Sequence, residues 1–320
     1  MLSAPSNIAD VVNGPILFVT AVSVFFLVSI TAVMVYFAIR YSRRRNPKAT
    51  DVHGHTALEI AWTVIPTLLA FAMFWYGWVG YEFMKSPPAD AMQVNVTARM
   101  WSWSYEYENG VQSDVLNIPV DKPVRLNLKS LDVIHSFYVP AFKVKQDAVP
   151  GVQGLFLWFT PRETGQYDVL CAEYCGLQHS AMMSKVIVMR QEEFDAWLRD
   201  RGAEASASGK AAEAEGGQGD EDLLALGQKL TNIKGCVACH STDGSRLVGP
   251  SYKGMYGTSR VVIVREEKQT VVADDAYLRR AIVQPSAEIV DGYPPLMPSQ
   301  EGLLTADEVE ALIAYIKSLK

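Results

Sequence analysis

The chain is poor in cysteine, in histidine and in any surplus of positive charge. Its 320 residues include four cysteines and five histidines, and 29 Lys and Arg stand against 35 Asp and Glu. The net charge of -6, with acidic residues spread along the chain, leaves no basic surface for nucleic acid, so we exclude that class of partner. The cysteines form two close pairs, each inside a motif typical of a cofactor site. None is therefore left for a structural disulfide.

Charge is also missing from the N-terminal part of the chain. Residues 14–39 contain no charged side chain and are numerous enough for a helix to cross a hydrocarbon core of about 30 Å. A cleaved signal peptide is the alternative, but no Lys or Arg precedes the run, which exceeds the usual apolar length of about 7 to 15 residues. A second apolar run, 57–81, contains Trp and Tyr. We predict a transmembrane hairpin within 1–88, with spans at 14–39 and 57–81.

A basic cluster, Arg40-Tyr-Ser-Arg-Arg-Arg-Asn-Pro-Lys48, separates the two apolar runs. The positive-inside rule places such a cluster in the cytoplasm. The sequence therefore predicts a bacterial inner-membrane protein whose N-terminus and whose domains after the second span lie on the periplasmic side.

From residue 93 onward the apolar pattern changes to a period of two. It is clearest in 93–98, 124–129 and 185–188, and Pro, Gly and Asn separate the runs. Several short strands with a metal loop before the last one predict a cupredoxin-like β-sandwich or barrel over 89–200. A short helix, 191–199, is expected to close this domain.

The metal loop is Cys171-Ala-Glu-Tyr-Cys-Gly-Leu-Gln-His-Ser-Ala-Met182. Two thiols, an imidazole and a thioether within twelve residues favour a soft metal, and the thioether favours copper over zinc. The CxxxC spacing alone fits a disulfide or a structural zinc site equally well. A further imidazole, His135, lies upstream in a strand-like run.

The C-terminal part contains a second cofactor motif. A small, acidic segment, 201–220, predicts a flexible linker before a domain at 221–320. Gly235-Cys-Val-Ala-Cys-His240 is the CxxCH motif of covalent haem c, in which two thiols bind the macrocycle and the histidine binds the iron. A zinc knuckle or a redox CxxC site is the alternative. The later features that favour haem are Pro250, whose carbonyl suits the His240 ring, and Met297 as sixth ligand.

The remaining helical pattern, ending with a helix at 306–319, predicts an all-α class I cytochrome c domain. A hairpin-like insert within 252–275 has no function that the sequence explains.

The metal loop and its surroundings resemble subunit II of the haem-copper cytochrome c oxidases. His135 followed by Cys-x-Glu-x-Cys-x-x-x-His-x-x-Met is similar to that family's dinuclear CuA signature. The resemblance implies that two cysteines bridge both coppers, that one histidine binds each copper, and that a thioether and a backbone carbonyl are axial ligands. The implied ligands are His135, Cys171, Glu173 (carbonyl), Cys175, His179 and Met182.

The resemblance also implies roles for three other side chains. Glu59, in Glu59-Ile-Ala-Trp-Thr-Val-Ile-Pro66, would stand at the entrance of a proton path into subunit I. The alternative is that this carboxylate, near a helix end, simply extends to the membrane–water interface, which is the usual role of an isolated carboxylate there. Trp101, in an aromatic run of the kind that often just packs on a strand, would be an exposed contact through which electrons arrive. The Glu173 carboxylate would bind a magnesium ion shared with subunit I.

With the haem motif, the resemblance covers nearly the whole chain and indicates the caa-type oxidases, whose subunit II carries a fused cytochrome c. It implies an electron-relay subunit of an aerobic terminal oxidase, with subunit I, a subunit III and a donor such as a cytochrome c or a quinol-oxidising complex as partners. Oxygen reduction to water and proton pumping would occur on subunit I.

Two other hypotheses stay open. One is a membrane-anchored carrier outside any oxidase, against which the Glu59 motif counts. The other is a nitrous-oxide-reductase-like protein, which would need a histidine-rich copper cluster, while only His53 and His55 remain unassigned.

Overall fold

The computed structural model describes residues 5–48, 53–213 and 220–320. It begins with two long helices, α1 (Asn7–Arg40) and α2 (Thr56–Lys85). At 1.5 Å per residue they measure about 51 and 45 Å, longer than a hydrocarbon core of about 30 Å. Their apolar stretches are not buried inside the protein, as expected of helices whose solvent is lipid. Both predicted spans fall within these helices.

The hairpin is attached to the β domain at one end. The Ser6 hydroxyl donates a hydrogen bond to the Phe142 carbonyl (2.9 Å), and Ser6 is fully buried. At the end of α2 the Phe83 ring lies 5.2 Å from the Trp158 ring. The start of α1 and the end of α2 therefore both lie at the β domain, and the basic connection between the helices lies at the opposite end.

The β domain consists of two five-stranded sheets around one core. Valines and aromatic rings that alternate with polar residues along the strands fill the space between the sheets, including the fully buried Phe137 and Tyr105. This arrangement confirms the predicted cupredoxin-like fold. The first sheet has the order β3-β2-β1-β5-β8 and the second β4-β10-β9-β6-β7. The strands are β1 (Met92–Arg99), β2 (Ser102–Tyr107), β3 (Gln112–Ser113), β4 (Leu116–Pro119), β5 (Val124–Ser130), β6 (His135–Val139), β7 (Val144–Ala148), β8 (Phe156–Phe159), β9 (Gly165–Cys171) and β10 (Met183–Met189).

The helix after β10 is longer than the sequence analysis predicts. Helix α3 spans Gln191–Glu213, whereas the prediction ended it at Arg199. The extra residues are rich in Ala, Glu, Arg and Lys, which have high helix propensity, and this outweighs their lack of apolar bulk. The first part of the predicted linker, 201–213, is thus helical, and 214–219 lie outside the described residues.

The C-terminal domain is mainly helical, as predicted, with α4 (Asp220–Ile233), α5 (Asp275–Val283) and α6 (Ala306–Ser318). Helices α4 and α6 cross closely at Gly227, where a Cβ atom would collide with the Ala311 carbonyl. The domain is not all-α, because the insert forms a hairpin of two strands, and a later short strand joins it in a sheet of order β12-β11-β13. These strands are β11 (Ser259–Val264), β12 (Glu267–Val272) and β13 (Ile289–Val290), and the fully buried Val262 of β11 packs against the helical core.

Candidate metal centres

The predicted copper ligands gather where β9 ends and β10 begins. The sulfurs of Cys171 and Cys175 are free thiols 3.7 Å apart. The Nδ1 atom of His135 lies 3.9 Å from the Cys171 sulfur, and that of His179 lies 3.5 Å from the Cys175 sulfur. The Met182 thioether is fully buried, 3.8 Å from the Cys175 sulfur. Two sulfurs flanked by one imidazole each suit a pair of soft metal ions.

Backbone and loop geometry complete this site. The Glu173 carbonyl lies 3.3 Å from the Cys171 sulfur, whereas Glu173 itself is exposed to solvent. His135 begins β6, next to β9 in the sheet, so strand pairing holds it beside Cys171 although the two are distant in sequence. The scaffold thus fixes one ligand by the sheet and the others by one loop.

Asp132 orients the His135 ring. Its carboxylate lies 2.8 Å from His135 Nε2 and also accepts the backbone N–H of Met100 at 2.6 Å. A carboxylate on the far nitrogen of a ligating histidine fixes the ring and makes the other nitrogen a better donor to metal. Burial alone would lower the pKa of His135, but the hydrogen bond to Asp132 raises it to about 8. The sequence analysis did not identify Asp132. The one feature of the sequence that points to its role is its position three residues before the proposed ligand His135.

The two thiols differ in acidity. Burial raises the pKa of the Cys171 thiol, but the hydrogen bonds around its sulfur, above all the one with His135, together outweigh burial and lower the pKa to about 6. Burial and the neighbouring negative charge of Cys171 raise the pKa of Cys175 to about 12. Two negative charges this close repel each other, so the second thiol stays protonated. A pair of bound cations would remove this repulsion and allow both sulfurs to be thiolates.

The second cofactor motif surrounds an apolar cavity. The four residues suited to hold a haem c all line this cavity, and they are Cys236, Cys239, His240 and Met297. Met297 is distant from the other three in sequence. This fits covalent attachment at two sulfurs with the iron between an imidazole and a thioether.

The His240 ring is held from two sides. Its Nδ1 lies 2.7 Å from the Pro250 carbonyl, and the ring stacks on Tyr252 with centroids 4.7 Å apart. Burial lowers the pKa of His240, which keeps the ring neutral as an iron ligand must be. A Cβ atom at Gly249 would lie 2.5 Å from His240 Cε1, so only glycine fits there. The residues present therefore fit a haem c.

Trp101 is not exposed, contrary to what the resemblance implied. It is 4% exposed, and its indole N–H donates to the Cys175 carbonyl at 2.9 Å. Cys239 and Val248 of the cytochrome domain pack against the buried cluster that includes Trp101. The Trp101 ring therefore lies inside the protein, fixed to the copper loop, in a core against which the cytochrome domain also packs.

Direct contacts join the two sites. Gln178, next to the ligand His179, donates to the carbonyl of Ala238, which lies between the two haem cysteines, at 3.0 Å. Arg99 donates to the Gln300 side chain at 3.2 Å. Arg99 and Met100 of the copper domain also line the haem cavity. The structure therefore brings the copper loop and the haem motif to one interface.

Glu59 lies far from both centres. It is exposed in the first turn of α2, and the His55 ring caps that turn by accepting the backbone N–H of Leu58 at 3.3 Å. The structure leaves its carboxylate at the end of the hairpin opposite the β domain.

Comparison with known proteins agrees with these observations. Residues 4–77 match the family described as cytochrome C oxidase subunit II, transmembrane domain, and residues 110–190 match its periplasmic domain. Residues 224–320 match the cytochrome c family. The chain is 30% identical to cytochrome c oxidase subunit 2 of Alkalihalophilus pseudofirmus, over 94% of this chain and 86% of that one.

Two further relatives cover different shares of the chain. The subunit 2 of Bacillus subtilis is 29% identical, over 89% of this chain and 82% of its own. The crystal structure of the periplasmic domain of subunit II of cytochrome oxidase of Bradyrhizobium japonicum is 32% identical and covers 36% of this chain and 95% of that chain, with a TM-score of 0.34.

The order of the matched segments, a membrane hairpin, a copper domain and a cytochrome c, follows the architecture described above. The chain belongs to the cytochrome c oxidase subunit 2 family, as a membrane-bound subunit of a haem-copper terminal oxidase with a periplasmic CuA-type domain and a fused cytochrome c domain.

Proposed function

We propose that this chain accepts electrons at a haem c and passes them to a dinuclear CuA centre, from which they continue to haem and copper in subunit I. There oxygen would be reduced to water with proton pumping. The observation that carries the proposal is the contact between the sites, where Gln178 of the copper loop binds the backbone of Ala238 inside the haem motif. Electron transfer requires such proximity, and a docked pair needs no diffusive encounter.

The residues divide between the two cofactors as follows. Copper would be held by His135, Cys171, Cys175, His179, Met182 and the Glu173 carbonyl, and haem c by Cys236, Cys239, His240 and Met297. Both groups supply one-electron redox chemistry when bound. The protein contributes fixed ligand positions, since a rigid cage changes little between oxidation states. Trp101, bonded to the Cys175 carbonyl in the core against which Cys239 packs, is the proposed residue through which electrons from the cytochrome side reach copper.

The Glu173 carboxylate is the proposed magnesium ligand at the boundary with subunit I. Its carbonyl turns toward the Cys171 sulfur, while the residue is exposed, so the carboxylate is free to meet a cation held by another chain. Oxygen ligands of this type suit Mg²⁺.

The domain boundaries and the membrane orientation belong to the same proposal. The hairpin, 1–88, would place the N-terminus, the copper domain at 89–200 and the cytochrome domain at 221–320 on the periplasmic side, with the linker 201–220 between the two domains. The attachment of both outer helix ends to the β domain supports this orientation. Subunit III and an external donor, a cytochrome c or a quinol-oxidising complex, complete the proposed assembly.

The relay is tested by flash photoreduction of haem c in the purified oxidase complex, with CuA reduction followed over a dilution series. A donor tethered to its acceptor has an effective concentration on the order of millimolar. We therefore expect one rate at every protein concentration, with little dependence on salt, because no charged encounter has to be steered. A rate proportional to concentration would mean that the donor of CuA is on another molecule, and would refute the proposal.

A second prediction concerns the proton path. Glu59→Ala should lower steady-state turnover by about tenfold or more, because a carboxylate that passes protons inward cannot be replaced by a methyl group. The rate from haem c to CuA should not change, since Glu59 lies at the opposite end of the hairpin. Glu82→Ala is the matched control, because it removes an exposed carboxylate from the other end of α2. Equal effects of the two substitutions would remove the proposed role of Glu59.

A further inference from the structure

The place where α2 meets the β domain contains a group of hydrogen-bond donors that the electron relay does not use. Helix α2 ends at Lys85, one turn after Tyr81, and the Lys85 ammonium lies 5.9 Å from the centre of the Tyr81 ring. Tyrosine and tryptophan near the end of a membrane span, here with Trp78 before them, are typical of the headgroup region. Lys85 is therefore at the depth of phospholipid headgroups.

Two cations share one aromatic ring at this junction. The Lys85 ammonium lies 5.5 Å from the centre of the Phe156 ring, and the Arg125 guanidinium lies 4.2 Å from it. Within the described residues, the Lys85 side chain forms one hydrogen bond, a long one of 3.5 Å to the neutral Gln146. Neither cation forms an ion pair with any carboxylate in the part of the chain that the structure describes.

A third donor beside them is buried and unpaired. Trp158 is 4% exposed, and its indole N–H has no hydrogen-bond partner. The Nε atom of Arg125 is also buried without a partner. Arg125 and Trp158 are directly opposed on β5 and β8, so their side chains leave the same face of the sheet, the face that Phe83 of α2 covers.

Unpaired donors in such a position are costly unless an anion accepts their hydrogen bonds. A buried polar group without a partner costs about 1 to 3 kcal/mol, and charged donors bind phosphate more strongly than neutral ones. Trp158 Nε1 and Arg125 Nε are shielded from solvent, so an anion bound here would be held by the exposed Lys85 ammonium and the terminal nitrogens of Arg125. The Lys85 and Arg125 side chains therefore suit an acceptor with several oxygens that lies at the membrane surface.

We propose that Lys85 and Arg125, beside the buried Trp158, form a binding site for the phosphate of an anionic phospholipid in the periplasmic leaflet. The lipid headgroup would accept hydrogen bonds from the ammonium and the guanidinium, and its acyl chains would lie along the apolar surface of α2. Phe156 holds the two cations in place from the protein side. Such a lipid would fasten the copper domain to the membrane hairpin.

The test is native mass spectrometry of the complete oxidase complex, delipidated in detergent and titrated with phosphatidylglycerol. Each cation near an anionic lipid contributes about fivefold to binding, so Lys85→Gln with Arg125→Gln should weaken the retained lipid about 25-fold. Trp158→Phe removes a buried donor that the headgroup does not reach, and should leave lipid retention unchanged. Lys129→Gln with Lys185→Gln is the control, since it removes the same charge from exposed strand positions away from the junction.

Four results would overturn the proposal. They are equal lipid retention in the wild type and the double variant, no retained lipid in the wild type, binding of inorganic phosphate as tight as that of the lipid, or a carboxylate of another subunit on Arg125 in a structure of the complex. The near-infrared copper band and the haem spectrum serve as checks of folding. If the double variant does not fold, the single variants Lys85→Gln and Arg125→Gln decide the question, each with an expected loss of about fivefold.

Discussion

Replacing Cys175 with serine should abolish the mixed-valence copper pair while the haem c spectrum stays unchanged. The Cys175 sulfur is 3% exposed and lies within 4 Å of Cys171, His179 and Met182, so it is the atom that joins both halves of the site. A single bridging thiolate cannot hold two coppers close enough to share an electron. Loss of a residue that merely orients a ligand already costs about 10- to 100-fold in affinity or activity, so loss of the bridge should lower turnover at least about 100-fold.

Copper content per chain, the near-infrared band and the electron paramagnetic resonance spectrum measure this effect. Met183→Leu provides the control, because Met183 follows the proposed ligand Met182 but its side chain is exposed. A mixed-valence signal that survives Cys175→Ser would contradict the two-cysteine bridge. Loss of the haem spectrum in the same variant would contradict the independence of the two cofactor sites.

Local spacing accounts for the parts of these sites that the sequence predicts. Cys171, Cys175, His179 and Met182 lie in one loop, so their separation in sequence limits their separation in space. His135 was a candidate from its residue type alone, and only the resemblance to a known family assigned it to the site, because its place beside Cys171 depends on the pairing of β6 with β9. The two spans were predictable for a similar reason, since length and lack of charge are local properties.

Properties that depend on contacts between domains could not be predicted in this way. Trp101 is buried and bonded to the Cys175 carbonyl, 74 residues further along the chain, and the hydrogen bond from Arg99 to Gln300 joins residues 201 positions apart. Asp132 was missed because a carboxylate near a ligand is common and only the 2.8 Å contact with His135 Nε2 reveals its role. The predicted end of α3 was wrong because the residues after Arg199 have low hydrophobicity but high helix propensity, and helix propensity decides their structure.

The contact between the domains yields the other large predicted effect. Ser102, at the start of β2, lies against Gly235, which immediately precedes the first haem cysteine. There is no room between them, because a Cβ atom on Gly235 would collide with the Ser102 side chain. Ser102→Phe should therefore push the cytochrome domain away from the copper domain. Electron transfer slows steeply as the distance between two cofactors grows, and a phenyl ring would widen this gap by several ångströms, so the rate from haem c to CuA should fall by an order of magnitude or more.

Ser102 is a better position for this wedge than Gly235. Gly235 has a φ of 71°, so any side chain there would strain the backbone beside Cys236 and disturb haem attachment itself. Glu106→Phe is the control, because Glu106 is exposed on the same outward face of β2, four residues further along the strand. Flash photoreduction should show a slow transfer in Ser102→Phe and a normal one in Glu106→Phe, with unchanged copper and haem spectra in both. A normal rate in Ser102→Phe would mean that the observed contact is not the geometry from which electrons cross, and that the domains must rearrange before transfer.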